Sequence, residues 1–510
     1  MLTEIKIPPG MAQNGTKYQN RGRWVDGNLI RFHQGTVRPI GGWSPLLNGS
    51  AVAQTVSAYG RAALSYRGLN GAAQAVFGCY DKLFAWSLGV KTDITPSDLA
   101  AGFRDTGVSG GGYGQGAYGA GPFGQGVGTT VQVADVWHFD TFGDYLVACY
   151  PTDGRILLWN RNTATDAAEI DADAPTSCRG VVVSPERFVV ALCAGGDGRT
   201  IEWCDQENYA TWDWAAPAAG SQAGRWTFEG EGTLIGARRG KKETLFWTTK
   251  DLHAMRYIGG TLVHSFEQVG YGCGLVGPQA VAMLGSKAIW MSYNGFYMYD
   301  GFVTPLPCDV QDEIFSNVET SQGIKVQAIV NDDWNEVTWL YPTVGSNECD
   351  AYVTYNWAEQ TWTTGRMDRT AGCARGAFDY PIYVATNGAL MEHEKGHTFL
   401  NTGVVLGVTP SATYATPFLE SAPVQMDAGD RTADVVAIVP DEKTLGDVQV
   451  SVYTAYYPTE TEILRGPYTL ANPTSVRWTA RQMRLRLDQV RAADWRFGTL
   501  RVDVEQGSRR

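Results

Sequence analysis

The sequence predicts an all-β protein built mainly as a β-propeller of six or seven blades. Three observations carry that prediction. Gly supplies 60 of 510 residues and aromatics 12%, while charged residues are only 18%. That mix suits strands and turns and argues against helical bundles and coiled coils, which are rich in Ala, Glu, Lys and Leu. Short apolar runs fold back over tight turns, and those turns recur at a nearly constant spacing.

The clearest hairpin is AIWMSYNGFYMYDG, where Asn294-Gly295 lies between aromatic-rich strands and fits a type I′ turn. PIYVATNGALMEHE turns at Asn387-Gly388, YLVACYPTDGRILLWN at Asp153-Gly154 and FVVALCAGGDGRTIEW at Asp197-Gly198. Further reversals fall near Tyr80-Asp81, Lys250-Asp251 and Gly345-Ser346. From 153 to 387 successive turn centres lie 41 to 53 residues apart, the length of a four-stranded blade. Each blade is expected to show one prominent inner hairpin and two weaker strands. No WD or kelch signature accompanies the repeat, and a large β-sandwich with irregular hairpins is the competing architecture.

Residues 46–405 are therefore read as the propeller. The step from turn 81 to turn 153 is too long for one blade, so an insertion is placed at about residues 90–135. Within it, residues 107–128 repeat a pentapeptide three times and set Tyr113, Tyr118 and Phe123 five residues apart. Gly at this density resists one regular element because its backbone entropy is costly to freeze. The segment is either a flexible exposed loop or one that packs against copies of itself at a symmetry axis or lines a channel. Residues 406–510 read as a separate, sandwich-like β-domain: Val448, Val450 and Val452 alternate with Gln449 and Ser451, and Leu485 and Leu487 with Arg484, Arg486 and Asp488. Period two means one buried and one wet face. Residues 1–45 carry Trp24, Phe32 and Trp43 among Gly, Pro and charges, and read as a docking arm.

The net charge of −12 argues against a general nucleic-acid binder. Residues 1–40 hold six Lys/Arg against two acids and residues 475–510 nine Arg against four, which leaves −21 on the body between them. Basic ends on an acidic body suggest docking. The candidates are Arg21, Arg23, Trp24, Arg31, Arg484, Arg486 and Arg501, with ordinary solvated surface as the other reading. The nine Cys form no CxxC pair and mostly lie in apolar runs, as small core residues in a reducing compartment do. The N-terminus shows no apolar signal region and every long charge-free stretch is broken by Gly, Pro, Thr or Asn, so synthesis in the cytoplasm without a membrane span is expected.

Motifs for chemistry are weak. GxGxxG occurs at Gly114, Gly116, Gly119 and again at Gly119, Gly121, Gly124, inside the Gly repeat with no helix after it, which a dinucleotide site needs. His393-Glu394-Lys395-Gly396-His397 matches HExxH, but it follows a hairpin and holds a Gly that weakens a helix, so it reads as a strand end running into a turn. Acidic pairs Asp332-Asp333 and Glu229 with Glu231 are the candidates for glycoside hydrolysis. The expectation is a non-enzymatic protein without cofactor or metal.

The stretch NRGRWVDGNLIRFHQGTVRPIGGWSPL, residues 20–46, resembles the opening of structural proteins from short-tailed bacteriophages. Gly22, Trp24, Asp26, Gly27, Asn28, Arg31, Phe32, Gly35, Pro39, Gly41, Gly42 and Trp43 carry the resemblance. The segments YNGFYMYDG, ALMEHEKG and WRFGTLRVDVEQGSRR are similar to the same group, the tail hub or nozzle proteins of podoviruses. The resemblance implies a propeller subunit in a six-fold homo-oligomeric ring below the portal and its adaptor. The ring would sit in the virion tail, continue the conduit for packaged double-stranded DNA without binding it specifically, and anchor fibres or spikes. The Gly-aromatic loop would then close the channel until ejection. A receptor-binding or glycan-hydrolysing tail propeller is the alternative.

Overall fold

The computed structural model describes residues 1–109, 130–217, 220–400, 416–425, 432–440, 445–458 and 460–506. Among them, seven antiparallel four-stranded sheets follow one another along the chain as blades. Their inner strands are Gly60–Arg67, His138–Phe142, Gly180–Val183, Leu234–Arg239, Val281–Leu284, Gln327–Asn331 and Ala371–Cys373. Blade 7 packs on blade 1 through its inner strand, which closes the ring. The β-propeller expected from the turn spacing is thus present, with seven blades.

All seven expected reversals fall between the second and third strands of a blade. The prominent hairpin is therefore the central one, not the inner one. The reason is burial: second and third strands have blade neighbours on both faces and sheet partners on both edges, so they hold the longest apolar runs. Asn294-Gly295 also departs from expectation. Neither residue has a positive φ; a four-residue loop joins the paired Met291 and Phe296, closed by Ser292 N donating to Gly295 O at 2.8 Å. A reversal spread over four residues needs no mirror-image turn. A type I′ geometry occurs instead at Gln34-Gly35, φ 52° and 73°, between strands Ile30–His33 and Thr36–Pro39.

Blades interlock through buried indoles. Trp137 Nε1 of blade 2 donates to Cys79 O of blade 1 at 2.7 Å, and Trp339 Nε1 of blade 6 to Ala280 O beside blade 5 at 2.9 Å. Both rings are fully buried, so the polar handle is satisfied where water cannot reach. All nine Cys are buried free thiols.

Residues 1–45 are not a free arm. Trp43–Pro45 forms the outer strand of blade 7, pairing with Leu390–His393. Leu2–Ile5 pairs with Leu500–Gln506, and Trp24–Asn28 with Phe418–Ser421, inside a two-sheet sandwich. One sandwich sheet orders Leu2–Ile5, Leu500–Gln506, Ala433–Val439 and Thr474–Ala480. The other orders Trp24–Asn28, Phe418–Ser421, Gln482–Gln489, Val448–Ala455 and Ile463–Thr469. Blade 7 and the sandwich would each expose an unpaired edge without these segments, and such edges template aggregation. The sandwich core and the cores of blades 5 and 6 merge into one cluster that includes Trp24, Trp290, Trp339, Trp478 and Trp495.

Candidate functional site

Alternation of strand direction puts the seven central turns and the connectors between blades on one face, and the remaining turns on the other. The inner strands surround a tunnel with a cavity of about 300 Å³. The tunnel is crossed by polar struts. Gln279 Nε2 of the blade 5 entry donates to Trp137 O of blade 2 at 2.6 Å, while its Oε1 accepts from Arg238 Nη2 at 2.5 Å. Arg239 Nη2 reaches from blade 4 to Asp140 Oδ1 in blade 2 at 2.8 Å. Burial raises the Asp140 carboxyl against the pull of Arg239, and burial also lowers Arg238 to about 10.

The insertion begins after Asp93, because Val90–Asp93 is the outer strand of blade 1. Its ends pair as Gly107–Ser109 with Thr130–Gln132. Its base is tied down around the tunnel mouth. Arg61 Nη2, at the start of the blade 1 inner strand, donates to Arg104 O at 2.8 Å, and Lys325 Nζ binds Asp105 Oδ1 at 2.7 Å. Thr106 and the Gln322 amide exchange two hydrogen bonds. Arg61 also forks onto Glu348, both contacts 2.8 Å. Arg61 and Lys325 are 1% exposed, so each buried cation meets a carboxylate as burial demands. Below this base lies a cavity of about 250 Å³, lined by Phe103, Asp135, His138 and Arg179 among others. The proposed gate residues Tyr113, Tyr118 and Phe123, and both GxGxxG matches, lie outside the described residues.

The expected docking residues are largely turned inward. Arg31 is 3% exposed and lies between two carboxylates, Glu336 at 3.0 Å and Glu394 at 2.5 Å, with its guanidinium 4.3 Å from the Trp334 ring centre. Trp24 is 3% exposed in the sandwich core. Arg23 pairs with Asp309 at 3.0 Å, and Arg38 with Asp494 at 2.6 Å. Arg484 binds Glu420 and Glu462, and Arg486 binds Glu420 and Asp488. Much of the basic charge thus meets carboxylates of the same chain, and burial corrects the expectation that Trp24 and Arg31 face a partner. Arg21 and Arg501 remain exposed.

Two carboxylates share the one arginine at this joint, and burial pushes Glu336 up to about 7 despite Arg31. Neither glutamate carried a sequence signal; Glu394 was visible only as the middle of HExxH. That motif ends a strand, with Glu394 at φ +60°. His393 Nε2 accepts from Arg369 Nε at 2.9 Å, its ring stacks on Trp43 at 4.9 Å, and burial with the adjacent Arg369 holds it well below the usual imidazole range. It is a core histidine. The acidic pairs sit apart on opposite faces: Asp333 binds Arg375 at 2.8 Å, and Glu231 binds Lys250 at 2.5 Å. No group of His, Cys, Asp and Glu suited to a metal is found among the described residues.

No family model and no curated protein matches the sequence. Solved structures similar to the chain are β-rich domains at low identity. The β-propeller domain of Cps50 (Swd1) from Myceliophthora thermophila is 8% identical over 67% of this chain and 98% of that one, with a TM-score of 0.38. The N-terminal domain of Nup159 is 6% identical over 76% and 97%, TM-score 0.36. A gluconolactonase of Xanthomonas campestris is 9% identical over 67% and 100%, TM-score 0.31.

Proposed function

We propose that the chain is a structural protein of a short-tailed bacteriophage virion, a tail nozzle or hub subunit without enzymatic activity. It assembles in the host cytoplasm as a six-fold ring below the portal and adaptor, continues the DNA-ejection channel and carries fibres or spikes on its flank. The observation that supports this reading is where the resembling residues fall. Trp24, Gly27, Asn28, Arg31, Gly41, Gly42 and Trp43 make the joint between sandwich and propeller. A Cβ on Gly41 would stand 2.4 Å from Glu394 Cα, and one on Gly42 2.4 Å from Thr398 O. Asn28 Oδ1 accepts from Arg366 N at 2.9 Å. A pattern that encodes the joint encodes the two-domain architecture, not one surface feature. The conduit in this reading is the axis of the ring, since side chains cross the propeller's own tunnel.

The test is the mass of the purified chain alone and with the cognate portal–adaptor complex, followed by cryo-EM of the product. A ring capping the adaptor is expected; a monomer that ignores the complex overturns the reading. A glycan-binding tail propeller is the second reading, favoured by one ledge: Trp226, 44% exposed, stacks on Phe266 at 4.6 Å and 7°. Loss of glycan-array binding in Trp226→Ala would support it, and no binding by the parent chain would remove it.

A further inference from the structure

One cation in the tunnel lacks a carboxylate within ion-pair distance among the described residues. Arg238 donates to Ala237 O at 2.9 Å, Pro278 O at 3.0 Å and Gln279 Oε1 at 2.5 Å. All three acceptors are neutral, and they use three of the five donors of a guanidinium. The negative charge facing it, Asp140, is already engaged: Oδ1 takes Arg239 at 2.8 Å and Thr141 N at 2.7 Å, and Oδ2 takes Val183 N at 2.8 Å. His138 is 3% exposed and held near 3 by burial and by Arg238, so it is neutral and offsets nothing. Arg31 and Arg61, by contrast, each meet carboxylates. Among the described residues, the tunnel cavity is therefore lined by two cations against one anion. Its remaining wall includes Leu64, Phe139, Val182 and Ile329, which solvate charge poorly.

We propose that the tunnel cavity beside Arg238 binds a small free oxyanion of the size of inorganic phosphate, paired with the unused guanidinium donors. The cavity of about 300 Å³ has room for such an ion with its remaining waters. A charge-assisted pair in a low-dielectric wall gives a saturable site, unlike general salt screening.

The test uses the full chain dialysed into chloride buffer, titrated with sodium phosphate at fixed ionic strength. Calorimetry and thermal unfolding are read in parallel. The wild type is expected to give saturable heat and a saturable rise in Tm. Arg238→Gln is expected to lose both, Arg238→Lys to bind at least about tenfold more weakly because the planar fork is gone, and the exposed Arg491→Gln to respond as wild type does. Phosphate shifts that are equal in wild type and Arg238→Gln would overturn the proposal. So would a wild-type response that grows linearly with phosphate, as general salt screening would. If Arg238→Gln fails to fold, the wild-type titration decides alone: no saturable heat up to millimolar phosphate means no site.

Discussion

Blades 1 to 6 each take their four strands from one unbroken stretch of chain, whereas blade 7 and the sandwich are completed by strands from the opposite end of the sequence. The first kind is local: its strands meet over short turns, and the entropy of closing each pair is small. The second kind joins residues up to 501 positions apart, Leu2 opposite Asp503. The difference teaches that the ring and the flanking domain are one cooperative object. The same 45 residues close both, and the acidic body neutralises the basic ends on the way.

The largest break in that comparison is removal of residues 1–45. It takes the outer strand of blade 7 and two sandwich strands together, and the loss is expected to exceed the whole stability of about 5–15 kcal/mol. Near-UV circular dichroism and thermal unfolding should show no cooperative transition, while a deletion of residues 1–9 keeps one. Next comes Trp43→Ala. Its ring stacks on His393, meets Phe399 edge-on and donates to Leu400 O at 2.7 Å, so a loss of about 3–5 kcal/mol is expected by chemical denaturation. Trp226→Ala, on the rim of locally built blades 3 and 4, should cost about 1 kcal/mol or less.

The joint sharpens the comparison through pH. Glu336 has its folded value raised to about 7 from an unfolded value of 4.5. Between these, the folded state holds the extra proton, so this group destabilises at pH above 7 and that penalty is relieved as pH falls towards 4.5. Glu336→Gln should remove this contribution, at most about tenfold per pH unit in the folding constant. Denaturation at pH 5 and 7.5 compares the two slopes, and identical slopes would mean Glu336 titrates normally. The smallest effect is expected at Arg21 and Arg501. Their Ala variants should shift stability by no more than about 0.5 kcal/mol, so any loss of ring assembly in them reports a partner contact and not a folding defect.

The propeller was legible because each central hairpin is apolar, short and punctuated by a turn, such as Asp153-Gly154 or Asn387-Gly388. The first and fourth strands were not, since outer strands such as Ala168–Glu169 are short and exposed. The role of the arm was hidden for a different reason. A strand that pairs with a partner hundreds of residues away leaves no periodic signal joining the two, so Trp24 and Arg31 looked like surface docking groups. Arg238 carried no sequence signal, and only closure of the ring brings it to the tunnel cavity. The charge pairs around Arg31 were out of reach for the same reason, because Glu336 and Glu394 come from different blades.

The dependence of both domains on the first strands bears on synthesis. At about 5–20 residues per second, roughly 25–100 s separate the appearance of Leu2 from that of Asp503. For much of that interval the nascent chain carries Trp24 and Phe32 without the sandwich residues that bury them. Six blades can form meanwhile, but a chain stopped short of Leu500–Gln506 cannot complete the sandwich. Completion of the pairing between Leu2–Ile5 and Leu500–Gln506 thus acts as a proofreading step: only chains that reach it cover their sticky edges.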